Sequence, residues 1–112
     1  MTDQLPLEID CQATRAKQTA GESFVFLDCR EQDEFDAVRI DGTMLIPMTQ
    51  LQDRVLELDG KQSDLIIVHC HHGGRSLRVA QWLRQQGFSN AVSMAGGIDA
   101  WAIEIEPGMT RY

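Results

Sequence analysis

The sequence has no run of 18 or more apolar residues, the length a helix needs to cross a bilayer. No membrane-spanning helix is expected. Its start, Met1-Thr2-Asp3-Gln4, has neither the positive cluster nor the apolar stretch of a secretory signal. Cysteine is scarce: the three residues, at 11, 29 and 70, cannot all pair within the chain and form no disulfide framework. A reducing cytoplasm suits them better than an oxidising compartment. Basic residues are few, 10 against 17 acidic, and the net charge of -7 repels nucleic acid and anionic membrane. Neither is expected as a partner. Fixed-period repeats, low-complexity tracts and linkers are also missing. What remains is 112 residues, 43% hydrophobic and 24% charged, an ordinary globular composition. The length supports one core but not two. One domain over 1–112 is expected, with its core at about 7–103 and a peripheral tail at 104–112. The oligomeric state is not legible.

Acidic residues are absent from one window in particular. From Leu65 to Ile98 there is no Asp or Glu, while Arg75, Arg78, Arg84 and all three histidines fall within it. Such clustering fits either a solvated basic face or an anion-attracting site on an acidic protein.

Two short apolar runs, Phe24-Val25-Phe26-Leu27 and Leu65-Ile66-Ile67-Val68, are continuous rather than alternating. They read as strands buried on both faces of a parallel sheet. Leu45-Ile46 and Ala91-Val92-Ser93 are weaker strands, and Leu7-Glu8-Ile9 begins the sheet at an edge. Helices fit between them. Asp10 caps a helix through Thr19 that closes near Gly21. A short helix is expected at 32–38, and another at 51–58 capped by Thr49. The strongest runs over 76–86, with Leu77, Val79, Ala80 and Leu83 on one side, Gly87 as its stop and Phe88 folding back. A last short helix is expected at 98–103, after Gly96-Gly97. Alternation of strand and helix predicts an α/β domain with a mainly parallel sheet of about five strands and helices on both faces. Ligands of such sheets sit beyond the C-terminal strand ends.

The strand ending at Val68 leads into His69-Cys70-His71-His72-Gly73-Gly74-Arg75-Ser76 and then into the strongest helix. A tight glycine-bearing loop between a strand and a helix N-terminus is anion-binding geometry, because free N–H groups and the helix dipole point at one centre. Gly73 and Gly74 allow the curl. Cys70 opens the loop, and a thiol beside such donors and a guanidinium should ionise more readily than a free one. It reads as a nucleophile. Arg75 closes the loop, where its fork can brace loop carbonyls or bind an anionic substrate. Zinc is set aside, since the contiguous residues 69–72 cannot converge on one tetrahedral ion and Cys11 and Cys29 would have to complete it. His71 and His72 either have no task or shape the pocket mouth and add positive charge below neutral pH. Cys11, on its helix, reads as inert. Cys29 reads as a bystander, with a disulfide or sulfur relay to Cys70 as the alternative if their strands are neighbours.

The loop Cys70-His71-His72-Gly73-Gly74-Arg75 resembles the Cys-x-x-Gly-x-Arg loop of the rhodanese-like sulfurtransferase family. Leu27-Asp28-Cys29-Arg30-Glu31 with Glu34-Phe35 resembles that family's Asp-x-Arg-Glu-x-x-Glu-Phe segment. Met94-Ala95-Gly96-Gly97-Ile98-Asp99-Ala100-Trp101 resembles its closing Gly-Gly-x-x-x-Trp segment. The resemblance implies a single-domain rhodanese in which Cys70 takes sulfane sulfur from thiosulfate or a persulfide and passes it to a thiol or cyanide. By the same resemblance His71, His72, Gly73, Gly74 and Arg75 bind the substrate, Asp28 and Arg30 support the loop, and no metal or organic cofactor takes part. The partners implied are small-molecule or protein sulfur donors and acceptors. Two places depart from the family pattern: Arg39-Ile40-Asp41-Gly42-Thr43 stands where many relatives have His-Ile-Pro-Gly-Ala, and Cys29 stands where an aliphatic residue is common. Two other functions compete. One is a non-catalytic interaction module, which usually lacks the loop cysteine. The other is a cysteine phosphatase or arsenate reductase, whose loop has five residues between Cys and Arg where this chain has four.

Overall fold

The computed structural model describes residues 5–112; the start at 1–4, read above as lacking a secretory signal, lies outside them. Five strands form one sheet in the order β1-β5-β4-β2-β3. They are β1 (Glu8–Ile9), β2 (Val25–Asp28), β3 (Met44–Leu45), β4 (Ile66–His69) and β5 (Ala91–Met94). All four pairings are parallel, so the sheet is wholly rather than mainly parallel. The helices are α1 (Cys11–Thr19), α2 (Gln32–Ala37), α3 (Leu51–Arg54), α4 (Gly74–Gln85) and α5 (Gly97–Glu104). No helix among the described residues is long and apolar enough to cross a membrane.

The continuous apolar runs are explained by the pleat, which sends successive side chains to opposite faces. Leu27, Ile66, Val68 and Ala91 pack with Val79, Ala80 and Leu83 of α4 and with Leu51 and Leu58. Phe26, Ile67, Val92 and Met94 pack on the other face with Cys11, Ile98 and Trp101, from α1 and α5. Both faces are covered, as a parallel sheet requires.

Strand order locates the site. The connection leaving β2 carries α2 to β3 on one side, while the connection leaving β4 carries α4 to β5 on the other. The chain ends of β2 and β4 therefore border the crevice where the winding reverses, the usual ligand position in open α/β sheets.

Local signals act as expected at several helix ends. Asp10 Oδ1 accepts from Ala13 N at 2.7 Å and caps α1. Phe88 N donates to Leu83 O at 3.0 Å and closes α4 beyond Gly87. Three details differ. The helix expected at 51–58 is α3 at 51–54 followed by a 3-10 turn at Val55–Leu58, and Thr49 is not its cap. The Thr49 hydroxyl instead donates to the Glu31 carboxylate at 3.0 Å. Helix α4 begins at Gly74 rather than Ser76: Gly73, at φ +112°, supplies the cap position and places Ser76 within the first turn. In the unusual segment at 39–43, Gly42 takes φ +87° and Thr43 Oγ1 donates to Ile40 O at 2.8 Å, so a hydroxyl closes the turn.

Gly97 fixes how α5 meets the loop at 70–75. A Cβ there would lie 2.5 Å from the carbonyl oxygens of both Cys70 and His71, and its φ is +60°. Gly21 also has positive φ, yet its missing Cβ would meet nothing within 4 Å. Gly97→Ala should therefore cost about 2–4 kcal/mol, against about 1 kcal/mol for Gly21→Ala. Chemical denaturation of the two variants measures the contrast, and equal losses would remove the packing argument.

Candidate active site

Every residue of the loop at 70–75 follows from the strand it leaves and the helix it enters. Cys70, one residue past β4, is 1% exposed. Its Sγ accepts from Gly73 N at 3.1 Å and from Ser76 N at 3.3 Å. The Ser76 hydroxyl oxygen lies 3.4 Å from the same sulfur. Ser93 Oγ, from β5, is 2.7 Å from Ser76 Oγ, and Ser76 Oγ also lies 3.2 Å from Gly73 O, to which it can donate. The loop carbonyls turn the other way. Cys70 O accepts from Ile98 N at 2.8 Å and His71 O from Asp99 N at 3.1 Å, both in the first turn of α5. These helix-end donors, unsatisfied within α5 itself, hold the carbonyls away from the anion position.

The sheet side of the sulfur is occupied by Cys29. Asp28 and His69 are register partners across β2 and β4, so the next residues, Cys29 and Cys70, are neighbours. Both are free thiols in the same core cluster. The Cys70 thiol is held well below its ordinary pKa. The Cys29 thiol is the largest cause, and the Ser76 hydroxyl and the Ser76 and Gly73 amides add to it against the opposing effect of burial. Cys29 moves the other way: its bond to Cys70, and then burial, keep it protonated. Cys11 is held at about 11 by burial and by the nearby Glu104 and Asp10 carboxylates. Three cysteines thus occupy three electrostatic environments, and Cys70 alone has its pKa lowered.

Arg75 is engaged from outside the loop. Its NH1 and NH2 donate to the two oxygens of Glu34, at 2.7 and 2.9 Å, a bidentate pair with a fixed orientation. Its side chain remains about a third exposed, and no loop carbonyl accepts from it. Arg75 and then the Glu31 amide lower the Glu34 carboxyl to about 2, although burial opposes them. Glu34 Oε1 also accepts from Glu31 N at 3.0 Å and completes a capping box on α2. One carboxylate thus caps the start of a helix and anchors the loop. The acid-free window of the sequence is consequently not acid-free in space. Arg84 is also structural, donating to Ala91 O at 2.7 Å and to Leu5 O at 2.9 Å.

The mouth of the loop holds His71 and His72, whose rings lie 3.8 Å apart. His71 also stacks on Tyr112, centroids 3.9 Å apart and planes 7° from parallel. The Tyr112 hydroxyl donates to Glu34 Oε2 at 2.7 Å. The tail expected at the periphery therefore reaches the loop, because its one aromatic ring finds both an imidazole face and a carboxylate. His71, His72 and Asp99 could each offer a ligand atom to a metal ion, all within 4.8 Å of one another. Asp99 is already paired with Arg111 at 2.8 Å.

Asp28 and Arg30 are both fully buried and so do not line an approach path. Arg30 NH2 donates to Asp28 Oδ2 at 2.7 Å and to Val38 O at 2.7 Å, and its NH1 reaches Glu34 O at 3.3 Å. The pair ties β2 to the end of α2, and thus to Glu34. Burial lowers the pKa of His69 more than Asp28, 3.6 Å away, can raise it, so the ring is neutral. Sequence reasoning did not single out Ser76, Ser93, Glu34, Asp99 or Tyr112 as site residues. Glu34, Ser76 and Asp99 lay within quoted segments and Ser93 within a predicted strand, but none was given a role there, and Tyr112 left no signal beyond its place in the tail.

These donors predict the titration of Cys70. Alkylation by iodoacetamide should proceed at nearly the same rate from pH 6 to pH 8, since the thiolate is already formed at the lower value. Ser76→Ala should raise the midpoint by about one unit, the loss of one charge-assisted hydrogen bond. A rate climbing tenfold per unit toward the ordinary value of about 8.5 would show an unactivated thiol.

Comparison with known proteins bears on this arrangement. The family model described as a rhodanese-like domain matches residues 12–104. The thiosulfate sulfurtransferase GlpE of Coxiella burnetii is 34% identical over 77 residues, covering 69% of this chain and 70% of that one. The adenylyltransferase and sulfurtransferase MOCS3-2 of Zea mays is 28% identical over 109 residues, covering 93% of this chain but 23% of its own length. Several curated relatives are longer, and the chain spans 23% to 52% of them. Among solved structures, a rhodanese-like domain protein from Staphylococcus aureus superposes with a TM-score of 0.80 at 23% identity, over 96% of this chain and 99% of that one. The chain, with its wholly parallel five-stranded sheet and its cysteine loop, belongs to the rhodanese-like domain family.

Proposed function

We propose that this protein is a sulfurtransferase whose Cys70 carries sulfur as a persulfide. The observation that carries the reading is the pair of amide contacts, Gly73 N and Ser76 N, on Cys70 Sγ. With thiosulfate, the Cys70 thiolate attacks the outer sulfur; the Cys70 S–S bond forms and sulfite leaves with the electron pair of the broken S–S bond. The persulfide keeps one negative charge, and loop amides are suited to stabilise it. A thiol or cyanide then takes the terminal sulfur and returns the thiolate. The loop residues His71, His72, Gly73 and Gly74 frame the incoming donor. Arg75 lends positive charge while Glu34 fixes its direction, and Asp28 and Arg30 position α2. Sulfurtransferase appears in the names of relatives, and that supports the reading. The three free thiols suit a reducing cytoplasm.

The phosphatase alternative fares worse. Four residues between Cys70 and Arg75 make a tight ring, and two of its amides already reach a single sulfur atom. Hydrolysis of phosphotyrosine mimics should be negligible; brisk hydrolysis abolished by Cys70→Ser would reverse the assignment.

Brief treatment with a panel of sulfane-sulfur donors, quenched before any onward reaction of the persulfide, should add about 32 Da to Cys70, removable by dithiothreitol. Cys70→Ala should abolish both the adduct and thiocyanate formation from cyanide. Mass spectrometry reads the first and a colorimetric assay the second. A wild-type protein that takes up sulfur from no donor would leave only an interaction module.

A further inference from the structure

Cys29 is the one nucleophilic side chain at the loop that the transfer cycle does not use. Its placement follows from sheet register. Asp28 pairs with His69, and Cys29 N donates to His69 O at 3.1 Å while Cys29 O accepts from Met48 N at 2.9 Å. The residue is thus pinned on both sides of its own backbone. Neighbouring strands lie about 4.8 Å apart, within the Cα separations of about 4.4–6.8 Å that a disulfide bridges. Cys29 and Cys70 are both buried in the cluster beneath α4, whereas Cys11 belongs to the opposite face.

We propose that Cys29 is a resolving cysteine, which expels sulfide from the Cys70 persulfide and closes a Cys29–Cys70 disulfide when no acceptor arrives. This rests on the sulfur-transfer reading above. The Cys29 sulfur attacks Cys70 Sγ; the new S–S bond forms as the bond to the terminal sulfur breaks. The Cys29 proton leaves with that sulfur as hydrosulfide. Two thiol sulfurs are oxidised and the sulfane sulfur is reduced, so the donor itself is the oxidant. Charge placement favours the order of events. With Cys70 as a free thiolate, Cys29 is held protonated. Once sulfur is loaded, the charge sits on the terminal atom, one bond farther from Cys29. Loading thereby weakens the largest influence that holds Cys29 protonated, while burial remains; a dithiol reductant restarts the cycle.

The test loads wild type and Cys29→Val with thiosulfate or a low-molecular-weight persulfide, without acceptor, and follows sulfide release and protein mass. Wild type should release one sulfide per chain and yield a Cys29–Cys70 crosslinked peptide, reversed by dithiothreitol. Cys29→Val should keep the adduct of about 32 Da and release no sulfide. Peptide mapping of wild type alone decides the matter should the variant fold poorly. A wild-type chain that keeps the adduct without a crosslink overturns the proposal, as does a bridge to Cys11 or to a second chain. Absence of any adduct on both proteins overturns the sulfur-transfer reading and this inference with it.

Discussion

In the loop at 70–75 the amides and the carbonyls face opposite ways, and the chemistry depends on that orientation being held. Gly73 N and Ser76 N point at the Cys70 sulfur, while the Cys70 and His71 carbonyls are taken by Ile98 N and Asp99 N of α5. The peptide planes of those two carbonyls carry the His71 and His72 amides, so the first turn of α5 fixes the start of the loop, from which the chain curls back to bring Gly73 N and Ser76 N onto the sulfur. Gly97 allows this approach because a side chain there would collide with the same two carbonyls.

Charge is arranged around that loop by elements on the other side of the crevice. Glu34 caps the start of α2 through its capping box, holds the Arg75 fork and accepts from Tyr112. The buried Asp28–Arg30 pair secures the carbonyl end of the same short helix. Buried ion pairs are costly unless their remaining donors are satisfied. Here the Arg30 donors reach Asp28, Glu34, Val38 and Tyr112. The arrangement positions the loop arginine without exposing Asp28 or Arg30 to substrate.

The three cysteines show how far environment outweighs residue type. Cys11 faces backbone carbonyls, with Sγ 3.8 Å from both Ala95 O and Gly97 O, and stays a thiol. Cys70 faces amides and ionises. Cys29 faces Cys70, and its state follows that of its neighbour. A disulfide count or a burial pattern would treat the three alike.

Much of the architecture was legible in the linear chain because it rests on local or periodic signals. The apolar runs at 24–27 and 65–68, the Asp10 cap, the Gly87 stop and the glycine loop ahead of α4 each encode their own geometry within a few residues. Family resemblance across three segments supplied the order of the rest. Other features required the folded sheet. Thr49 had two candidate partners, its own helix end and Glu31, and only the approach of α2 decided between them. The tail carries no periodicity, so nothing local foretold that Tyr112 would stack on His71. The juxtaposition of Cys29 and Cys70, 41 positions apart, depends on which strands are neighbours and in what register. Periodicity along a chain reports the faces of an element; pairing across the β2–β4 crevice belongs to the sheet as a whole.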